Sequence, residues 1–582
     1  MTNGRDSTPG VGLGLGPAEW AAAALIAFGV LAGIGVWLVG TLTGLVFGAG
    51  APHLATRQVP AILAALPAHL TDPRAAWPAA TRARLPTGAF PFYLTGTAIA
   101  LVVAAVGALA ARVWLGRPSG ARSARWARPA DVRVLAVGHP VPGRVTLGRV
   151  GRRLVAAEPR HSVLALAPTQ ARKTSGLAIP AILEWDGPAL VTSVKTDLVR
   201  RTLAYRQTIG DARVFDPVAV TGLPRAQWTP LGGCEDWHHA QRVAGRLAHA
   251  VQPGDQDNAR FWSELGAVYL APLLHAAARS FRTMSDVRRW VRQDNHPETF
   301  EEIHDALTGE HPSLADARST YERIVEADER MRSSLAATAM VALKAYGDPL
   351  VVACSQSAEV TAEWLLSGPN TLYLCAPEDE QERLEPLFVT LVLEVVAAAY
   401  RQAAGTGEPI DPPLLLLLDE VANVAAIPNL DRLASTAAGQ GIQLVTIAQD
   451  LAQLRHRYGH DRARTIVNNH RARWIGAGTA DPDTLDYVAR LAGEQEIRQT
   501  STSTTTGQPG RGQRTDSTAW RALAPQNVIR EHAYGTGILI YGNLPPAQLT
   551  LRTWHDDPLL RHHALLPLDD PAQATAAKDG RA

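Results

Sequence analysis

The sequence predicts an α/β protein with a mostly parallel sheet, interrupted by an all-helical insertion and preceded by two transmembrane helices. Two long runs without charge lie within the first 112 residues. Beyond them, short apolar runs alternate with helical segments, which is the pattern of a mostly parallel sheet. The alternation stops at about residue 233 and resumes at about residue 346. In a chain of 582 residues, 46% of them hydrophobic, this pattern is compatible with a large core.

Charge and cysteine content exclude several classes of protein. The 56 basic residues are balanced by 55 acidic ones, so the net charge is +1. This balance excludes a generally basic nucleic-acid binder but is compatible with a local basic surface. The three cysteines, Cys234, Cys354 and Cys375, show no CxxC spacing. The pattern argues against a disulfide framework or a cysteine zinc site, and a reducing compartment fits it.

The two uncharged runs cover residues 20–52 and 85–111. About 20 apolar helical residues are enough to cross the hydrocarbon core of a bilayer. We therefore predict a membrane anchor over 20–112, with transmembrane helices at about 20–46 and 90–111. The alternative is a signal peptide followed by one buried soluble helix, but the first run is longer than a typical signal sequence.

Arginines predict the topology of this anchor. Residues 112–133 carry six arginines and one acid, and the positive-inside rule keeps such a flank cytoplasmic. Residues 1–19 are then a cytoplasmic tail, and 47–89 form an outward loop. We expect a two-span protein of the cytoplasmic (inner) membrane with most of the chain in the cytoplasm. The arginine-rich flank is also suited to binding anionic membrane lipid.

Composition and periodicity divide the rest of the chain. The predicted divisions are a linker over 113–140, a sheet domain over 141–232 and 346–556, an all-α subdomain over 233–345 and a disordered tail over 557–582. Within the sheet domain, residues 498–518 (RQTSTSTTTGQPGRGQRTDST) are rich in Ser, Thr, Gly and Arg. That composition predicts a flexible loop.

A candidate phosphate-binding loop, 167–174 (APTQARKT), lies between a predicted strand and a predicted helix. Backbone N–H groups at such a turn can hold phosphates, a lysine reaches the β- and γ-phosphates, and the hydroxyl after it holds Mg²⁺. The candidate nucleotide-binding residues are Thr169, Gln170, Ala171, Arg172, Lys173, Thr174 and Ser175. Only four of the 56 basic residues are lysine, so Lys173 is a chemical choice in an arginine-biased chain.

The loop departs from the phosphate-loop pattern at two positions. Ala167 and Arg172 stand where the pattern has glycine, which lets the backbone approach phosphate and adopt otherwise costly dihedrals. Arg172 is the more serious departure, because its Cβ crowds the loop. Its side chain either points outward or lends a charge to the phosphates. The alternative interpretation of the whole segment is an ordinary strand–helix turn with an exposed basic pair.

A second candidate is 414–420 (LLLLLDE), a buried strand that ends in two acids. In this Walker B arrangement Asp419 holds Mg²⁺ and Glu420 polarises the attacking water as a general base. The alternative is a buried strand whose acids cap the next helix. Gln449 ends a neighbouring predicted strand, where it either senses the γ-phosphate or is a turn glutamine. The phosphate loop and the acids support each other, because both belong at the carboxyl edge of one sheet.

Two long segments carry a family resemblance: 163–198 (VLALAPTQARKTSGLAIPAILEWDGPALVTSVKTDL) and 414–459 (LLLLLDEVANVAAIPNLDRLASTAAGQGIQLVTIAQDLAQLRHRYG). They resemble the TraG/TraD-type coupling proteins of type IV secretion and conjugation, which belong to the RecA-like P-loop ATPase superfamily. The resemblance covers most of 20–555. It implies two N-terminal spans, a RecA-like ATPase domain and an all-helical subdomain inserted between the two motifs.

The resemblance also implies site roles and partners. Lys173 and Thr174 would contact phosphate and Mg²⁺, Asp419 and Glu420 would serve Mg²⁺ binding and hydrolysis of ATP, and Gln449 would couple nucleotide state to movement. It further implies a homohexameric ring that works with DNA or a relaxase–DNA complex and with components of a type IV secretion channel. Arg172, in place of a Walker A glycine, leaves the ATPase rate open.

The motifs and the resemblance leave three functional hypotheses. The first is a membrane-anchored, ATP-driven coupling protein that delivers DNA, or protein, to a type IV secretion or conjugation channel. The second is a DNA translocase of the FtsK type, against which the helical insertion and the 414–459 segment argue. The third is a catalytically impaired docking ring of the same fold, for which Arg172 is the one piece of support.

Overall fold

A computed structural model describes residues 17–115, 123–250, 257–504 and 512–568. The chain separates into two compact units, one up to Arg122 and one from Ser123 onward. The described helices of the first unit are α1 (Pro17–Phe47), α2 (Val59–Ala65), α3 (Ala79–Arg82) and α4 (Phe90–Leu115).

Both long helices of the first unit extend beyond the sequence-predicted spans of about 20–46 and 90–111. Each contains a stretch that is long and apolar enough to cross a membrane, Gly29–Phe47 in α1 and Phe90–Leu109 in α4. The intervening segment, predicted as a loop over 47–89, contains α2 and α3 and shares a small core with the start of α4. The buried side chains of that core are Ile62, Ala76, Trp77, Leu85 and Phe92.

The second unit is built on one sheet of 12 strands. Its first strands are β1 (Ala136–Val137), β2 (Thr146–Val150), β3 (Arg153–Ala156), β4 (Val163–Leu166), β5 (Ala189–Ser193) and β6 (Ala212–Phe215). The later ones are β7 (Thr371–Cys375), β8 (Leu414–Leu418), β9 (Ile442–Ala448), β10 (Ala472–Gly476), β13 (Thr536–Tyr541) and β14 (Ala547–Thr550). Two further strands, β11 (Glu494–Thr504) and β12 (Gly512–Ala522), form a separate antiparallel pair.

The strand order in the large sheet is β1-β3-β2-β14-β13-β10-β4-β9-β8-β5-β7-β6. From β10 to β6 every neighbouring pair is parallel, whereas β13, β14 and the strands beyond them pair antiparallel. The parallel strands β4, β5, β7, β8 and β9 are buried along their whole length. They read as continuous apolar runs because helices cover both faces of a parallel sheet.

The helices of the second unit form two groups along the chain, one before β7 and one after it. Before it come α5 (Ile179–Leu183), α6 (Thr196–Ile209), α7 (Trp237–Ala250), α8 (Asp257–Arg279), α9 (Met284–Arg292), α10 (Pro297–Ala306), α11 (Pro312–Val325), α12 (Glu329–Ala342), α13 (Pro349–Ala353) and α14 (Ala362–Leu366). After it come α15 (Gln381–Thr406), α16 (Leu430–Thr436), α17 (Leu451–Tyr458), α18 (His460–Asn469), α19 (Pro482–Ala492), α20 (Gln526–Arg530) and α21 (Pro558–Ala564).

Every regular element that the structure describes between β6 and β7 is a helix. The predicted fold class, a mostly parallel sheet with an all-α insertion, is therefore confirmed. One helix outside the insertion, α15, is also long and apolar enough to cross a membrane. Its residues are largely buried against the sheet and the inserted helices, so α15 is a core helix of the second unit.

Three predicted segments differ from the structure. The flexible loop over 498–518 lies mostly in the β11–β12 pair, whose Ser- and Thr-rich strands give no apolar alternation to reveal them. The linker over 113–140 packs on the sheet unit in its later part, where Val132 and Leu135 are buried. The disordered tail over 557–582 begins with α21, which buries Leu560 and Ala564; residues 569–582 lie outside the described part.

A buried arginine on α6 joins the amino ends of two parallel strands. The side chain of Arg206 is 0% exposed. It donates hydrogen bonds to the carbonyls of Gly187 at 2.8 Å and Pro369 at 2.9 Å, to that of Trp185, and to Thr371 Oγ1 at 2.6 Å. No carboxylate forms an ion pair with it in the described structure, so carbonyl and hydroxyl oxygens alone satisfy this charge. Burial lowers the pKa of Arg206.

We expect Arg206→Lys to lower the free energy of unfolding by about 2–4 kcal/mol, because an ammonium keeps the buried charge but cannot reach all four oxygens. The thermal unfolding midpoint of the full chain in detergent measures this loss. Arg200→Lys on the same helix is the matched control, since Arg200 is exposed and its one hydrogen bond within the described structure goes to the Thr221 carbonyl. An equally small shift in both variants would contradict the role given to Arg206.

Candidate functional site

The parallel strands end together at one edge of the sheet. Leu166 at the end of β4 pairs with Ala448 at the end of β9. Leu418 at the end of β8 pairs with Thr446 of β9 and with Thr192 of β5. The segments that follow these strands therefore meet at one edge, which is where ligands bind in open α/β sheets.

The segment after β4 forms a tight turn into a helix. Gln170 and Arg172 have φ of 66° and 64°, which is the left-handed region. This conformation costs a residue other than glycine about 1 kcal/mol. The helix that follows opens with a π-helical turn, Thr174–Ala178, and continues as α5. The first N–H groups of a helix have no partner within it and point toward any anion at its end.

The structure answers the question that the sequence left open for Arg172. Its guanidinium lies 5.4 Å from the ring centroid of Tyr534 and 3.8 Å from Asp556. Both of these residues come from the C-terminal part of the chain. The side chain is thus held on the outside of the turn, and the glycine-like backbone angle is adopted in spite of the Cβ.

Lys173 is buried at the centre of this turn, with 5% of its surface exposed. Its Nζ donates a hydrogen bond to the carbonyl of Ala167 at 3.1 Å, which closes the turn on itself. Burial lowers the pKa of Lys173, and the negative charges of Asp419 and Glu420 partly offset that effect. The ammonium therefore lies in the field of the two acids that follow β8.

Asp419 is the second buried charge of the site, with 6% exposure. Its Oδ1 is buried without a hydrogen-bond partner among the described residues. Burial and the neighbouring charge of Glu420 raise the pKa of Asp419 to about 7, while Lys173 acts in the opposite direction. A buried carboxylate oxygen that lacks a partner is suited to a cation.

Glu420 lies half-buried beside Asp419 and has a φ of 52°, again in the left-handed region. The backbone holds it there: Val421 donates to the Ile447 carbonyl at 3.1 Å, and the Thr192 hydroxyl donates to the Asp419 carbonyl at 3.2 Å. Strained backbone of this kind persists where surrounding contacts fix it, and such residues cluster at functional sites.

Gln449 lies at the same edge, together with three further charged residues. Gln449 follows β9, and its N–H donates to Gln453 Oε1 at 3.0 Å. The negative charge of Asp450 acts to raise the pKa of Lys173, and the positive charge of Lys195 acts to lower it. Asp197 is exposed and raises the pKa of Asp419. The edge therefore combines two lysines with four carboxylates.

The structure brings the predicted residues of 169–175 together with Asp419, Glu420 and Gln449. Thr169 and Gln170 are exposed, whereas Ala171 and Lys173 are buried. Tyr534 and Asp556 were not predicted, because nothing local in the sequence links them to a turn more than 350 residues earlier. Asp450 could have been found from its position directly after a buried strand.

This fold and site define a RecA-like α/β protein with a phosphate-loop-type turn opposite an acidic strand end. The chain belongs to the family described as Type IV secretory system Conjugative DNA transfer, whose model matches residues 134–577.

Curated relatives agree with this assignment. The chain is 26% identical over 484 residues to Protein VirD4 of Rhizobium rhizogenes, covering 78% of this chain and 69% of the relative. It is also 26% identical over 333 residues to the conjugal transfer protein TraG of Escherichia coli, covering 53% of this chain and 51% of the relative. The chain thus spans about half to two thirds of the length of these relatives.

Solved structures share the fold. The bacterial conjugative coupling protein TrwBdeltaN70 in its unbound monoclinic form is similar with a TM-score of 0.55 and 19% identity, over 75% of this chain and 96% of the other. The plasmid coupling protein TrwB in complex with ADP and Mg²⁺ gives a TM-score of 0.54 and 17% identity over the same shares. These likenesses confirm the predicted RecA-like fold.

The buried carboxyl of Asp419 predicts a dependence of stability on pH. Its pKa is higher in the folded chain, at about 7, than in the unfolded chain. The folded state therefore binds the extra proton, and stability falls as the pH rises from about 4 to about 7. Asp419→Asn removes this cost. We expect its stability gain in nucleotide-free protein to be about 2–3 kcal/mol larger at pH 8 than at pH 5.

Unfolding midpoints at the two pH values, in EDTA, measure this difference. Asp305→Asn replaces an exposed acid on α10 of the helical insertion and is the control. A gain from Asp419→Asn that is the same at both pH values would show that the carboxyl is not desolvated.

Proposed function

We propose that this chain is a membrane-anchored, ATP-driven coupling protein that delivers DNA, or protein, to a type IV secretion or conjugation channel. The observation that carries the proposal is the burial of Lys173 and Asp419 in each other's field at the carboxyl edge of the sheet. The family match over 134–577 and the likeness to VirD4 and TraG give the biological context.

ATP and Mg²⁺ are the proposed ligands of this edge. The phosphates would lie against residues 169–175, with Lys173 as the counter-charge and the turn's N–H groups as donors. Mg²⁺, when bound, would neutralise phosphate charge, and the Thr174 hydroxyl and Asp419 are the residues that would hold it. The Oδ1 of Asp419, which has no hydrogen-bond partner among the residues that the structure describes, fits this role. Structures of TrwB with ADP and Mg²⁺ and with an ATP analogue support the same choice of ligands.

Glu420 is the proposed general base. It lies next to Asp419 at the strand end, and its backbone is fixed by contacts from β9. Its carboxylate would take a proton from the attacking water. Gln449 ends the adjacent strand, and we assign it the role of sensing the nucleotide and passing its state to α17, because its N–H is bonded to Gln453 of that helix.

The competing functions have less support. An FtsK-type translocase does not account for the match to the conjugative transfer family. The hypothesis of an impaired docking ring is based on Arg172, but the Arg172 side chain lies outside the turn. Lys173 lies in the field of Asp419 and Glu420. Retention of this whole charge set favours an active ATPase.

Assembly and membrane placement complete the proposal. We propose a homohexameric ring working with DNA or a relaxase–DNA complex and with channel components, as the family resemblance implies. The two stretches Gly29–Phe47 and Phe90–Leu109 are the proposed spans of the inner membrane. Residues 47–89 would face outward, and the sheet unit would lie in the cytoplasm.

We expect Glu420→Gln to reduce ATP hydrolysis by a factor of about 10² or more, because the general base is lost, while ATP analogue binding persists. Lys173→Ala should abolish both, because the phosphate counter-charge is gone. Phosphate release and fluorescent-nucleotide binding by the full chain in nanodiscs, with and without DNA, measure these effects. Hydrolysis by Glu420→Gln at the wild-type rate would overturn the assignment of the base.

Topology is testable by thiol labelling, because all three native cysteines are buried. A membrane-impermeant maleimide should label Thr71→Cys in intact cells, since Thr71 is exposed in the proposed outward segment. Asn295→Cys, exposed on the helical insertion, should react only after lysis. Labelling of Asn295→Cys in intact cells would contradict a cytoplasmic sheet unit.

A further inference from the structure

The phosphate-loop-type turn is held from outside by two segments near the C-terminus. The Tyr534 hydroxyl donates to the carbonyl of Gln170. The N–H of Trp554 donates to the carbonyl of Ser175 at 3.0 Å. The two segments are also joined to each other, since the N–H of Leu551 donates to the Gly535 carbonyl at 2.8 Å. We call residues 534–535 and 551–556 the clamp.

Arg172 is the side chain through which the turn engages the clamp. Its guanidinium lies over the Tyr534 ring at 5.4 Å and beside Asp556 at 3.8 Å. Its Cδ lies 3.2 Å from the position that a Cβ on Gly535 would occupy, so a glycine there leaves just enough room. The Arg172 carbonyl, in turn, accepts from the N–H of Gly176 at 2.8 Å at the start of the helix.

We propose that Arg172 is a positioning residue that replaces the conformational freedom of a glycine with a tertiary anchor. Glycine adopts a left-handed φ without penalty, whereas another residue keeps it only where surrounding contacts impose it. Tyr534 and Asp556 supply those contacts. Arg172 thus shapes the phosphate cradle through its backbone and does not contact phosphate itself. The effect on nucleotide affinity rests on the proposed function; the anchoring of the turn does not.

The first test is hydrogen–deuterium exchange of the nucleotide-free full chain in detergent. Arg172→Ala and Tyr534→Phe should each speed exchange in peptides covering 168–178 by about tenfold, because each removes a clamp contact. Exchange elsewhere in the sheet unit should stay the same, which separates a local effect from unfolding. Unchanged exchange across 168–178 in both variants would overturn the anchor.

The second test is the equilibrium affinity of the same variants for fluorescent ADP and for a non-hydrolysable ATP analogue. Arg172→Ala loses the anchor but keeps the strained φ, whereas Arg172→Gly loses both. We therefore expect Arg172→Gly to bind both nucleotides at least about fivefold more tightly than Arg172→Ala, since the difference in left-handed strain is of that order. A direct phosphate contact instead predicts equal losses in Gly and Ala, larger for the ATP analogue than for ADP; that result would overturn the proposal.

Arg160 provides a matched control. It is an arginine with a φ of 63°, in a turn before β4 and outside the cradle. Arg160→Ala and Arg160→Gly should show no difference in nucleotide affinity. If Lys173→Ala binds nucleotide as tightly as wild type, the proposed function fails, while the exchange experiment still decides whether Arg172 anchors the turn.

Discussion

The charges buried at the carboxyl ends of β4 and β8 are the constraint on which the site depends. Burying an ammonium or a carboxylate away from water costs free energy. The attraction between the two charges offsets part of that cost when they lie close together. Lys173 and Asp419 are 246 positions apart in the chain, and only the parallel register of β4, β9 and β8 brings them to one edge. The sheet therefore positions the two charges, and in the described part of the chain the Oδ1 of Asp419 has no hydrogen-bond partner.

Local backbone strain accompanies these charges. Gln170, Arg172 and Glu420 all have left-handed φ, and each is held by contacts from elsewhere in the fold. The antiparallel side of the sheet contributes to this, since the chain on either side of β13 and β14 carries Tyr534 and Trp554 to the outside of the turn. The antiparallel strands thus extend the sheet and also fix the conformation of the turn.

The sequence allowed the parallel sheet, the helical insertion and the charged strand ends to be predicted, because buried parallel strands such as 414–418 are uninterrupted apolar runs. It did not reveal the β11–β12 pair, whose strands consist mostly of Ser, Thr and other polar residues, or α21, whose seven residues bury only two apolar side chains. The outward path of the Arg172 side chain was also beyond prediction. It depends on Tyr534 and Asp556, whose positions follow from tertiary packing and from no local pattern.

Apolar length alone does not distinguish a membrane helix from a core helix, and α15 shows what does. It matches α4 in length and is also apolar enough to cross a membrane. Yet it carries Glu394, which forms an ion pair with Arg246 at 3.0 Å and lies 3.2 Å from His239, both on α7. Near its start, Arg383 pairs with Asp348 at 2.9 Å. These polar contacts all join α15 to the inserted helices and the segment that follows them. Because α15 begins just after β7, at the same edge as the site, one helix connects the strand ends to the insertion.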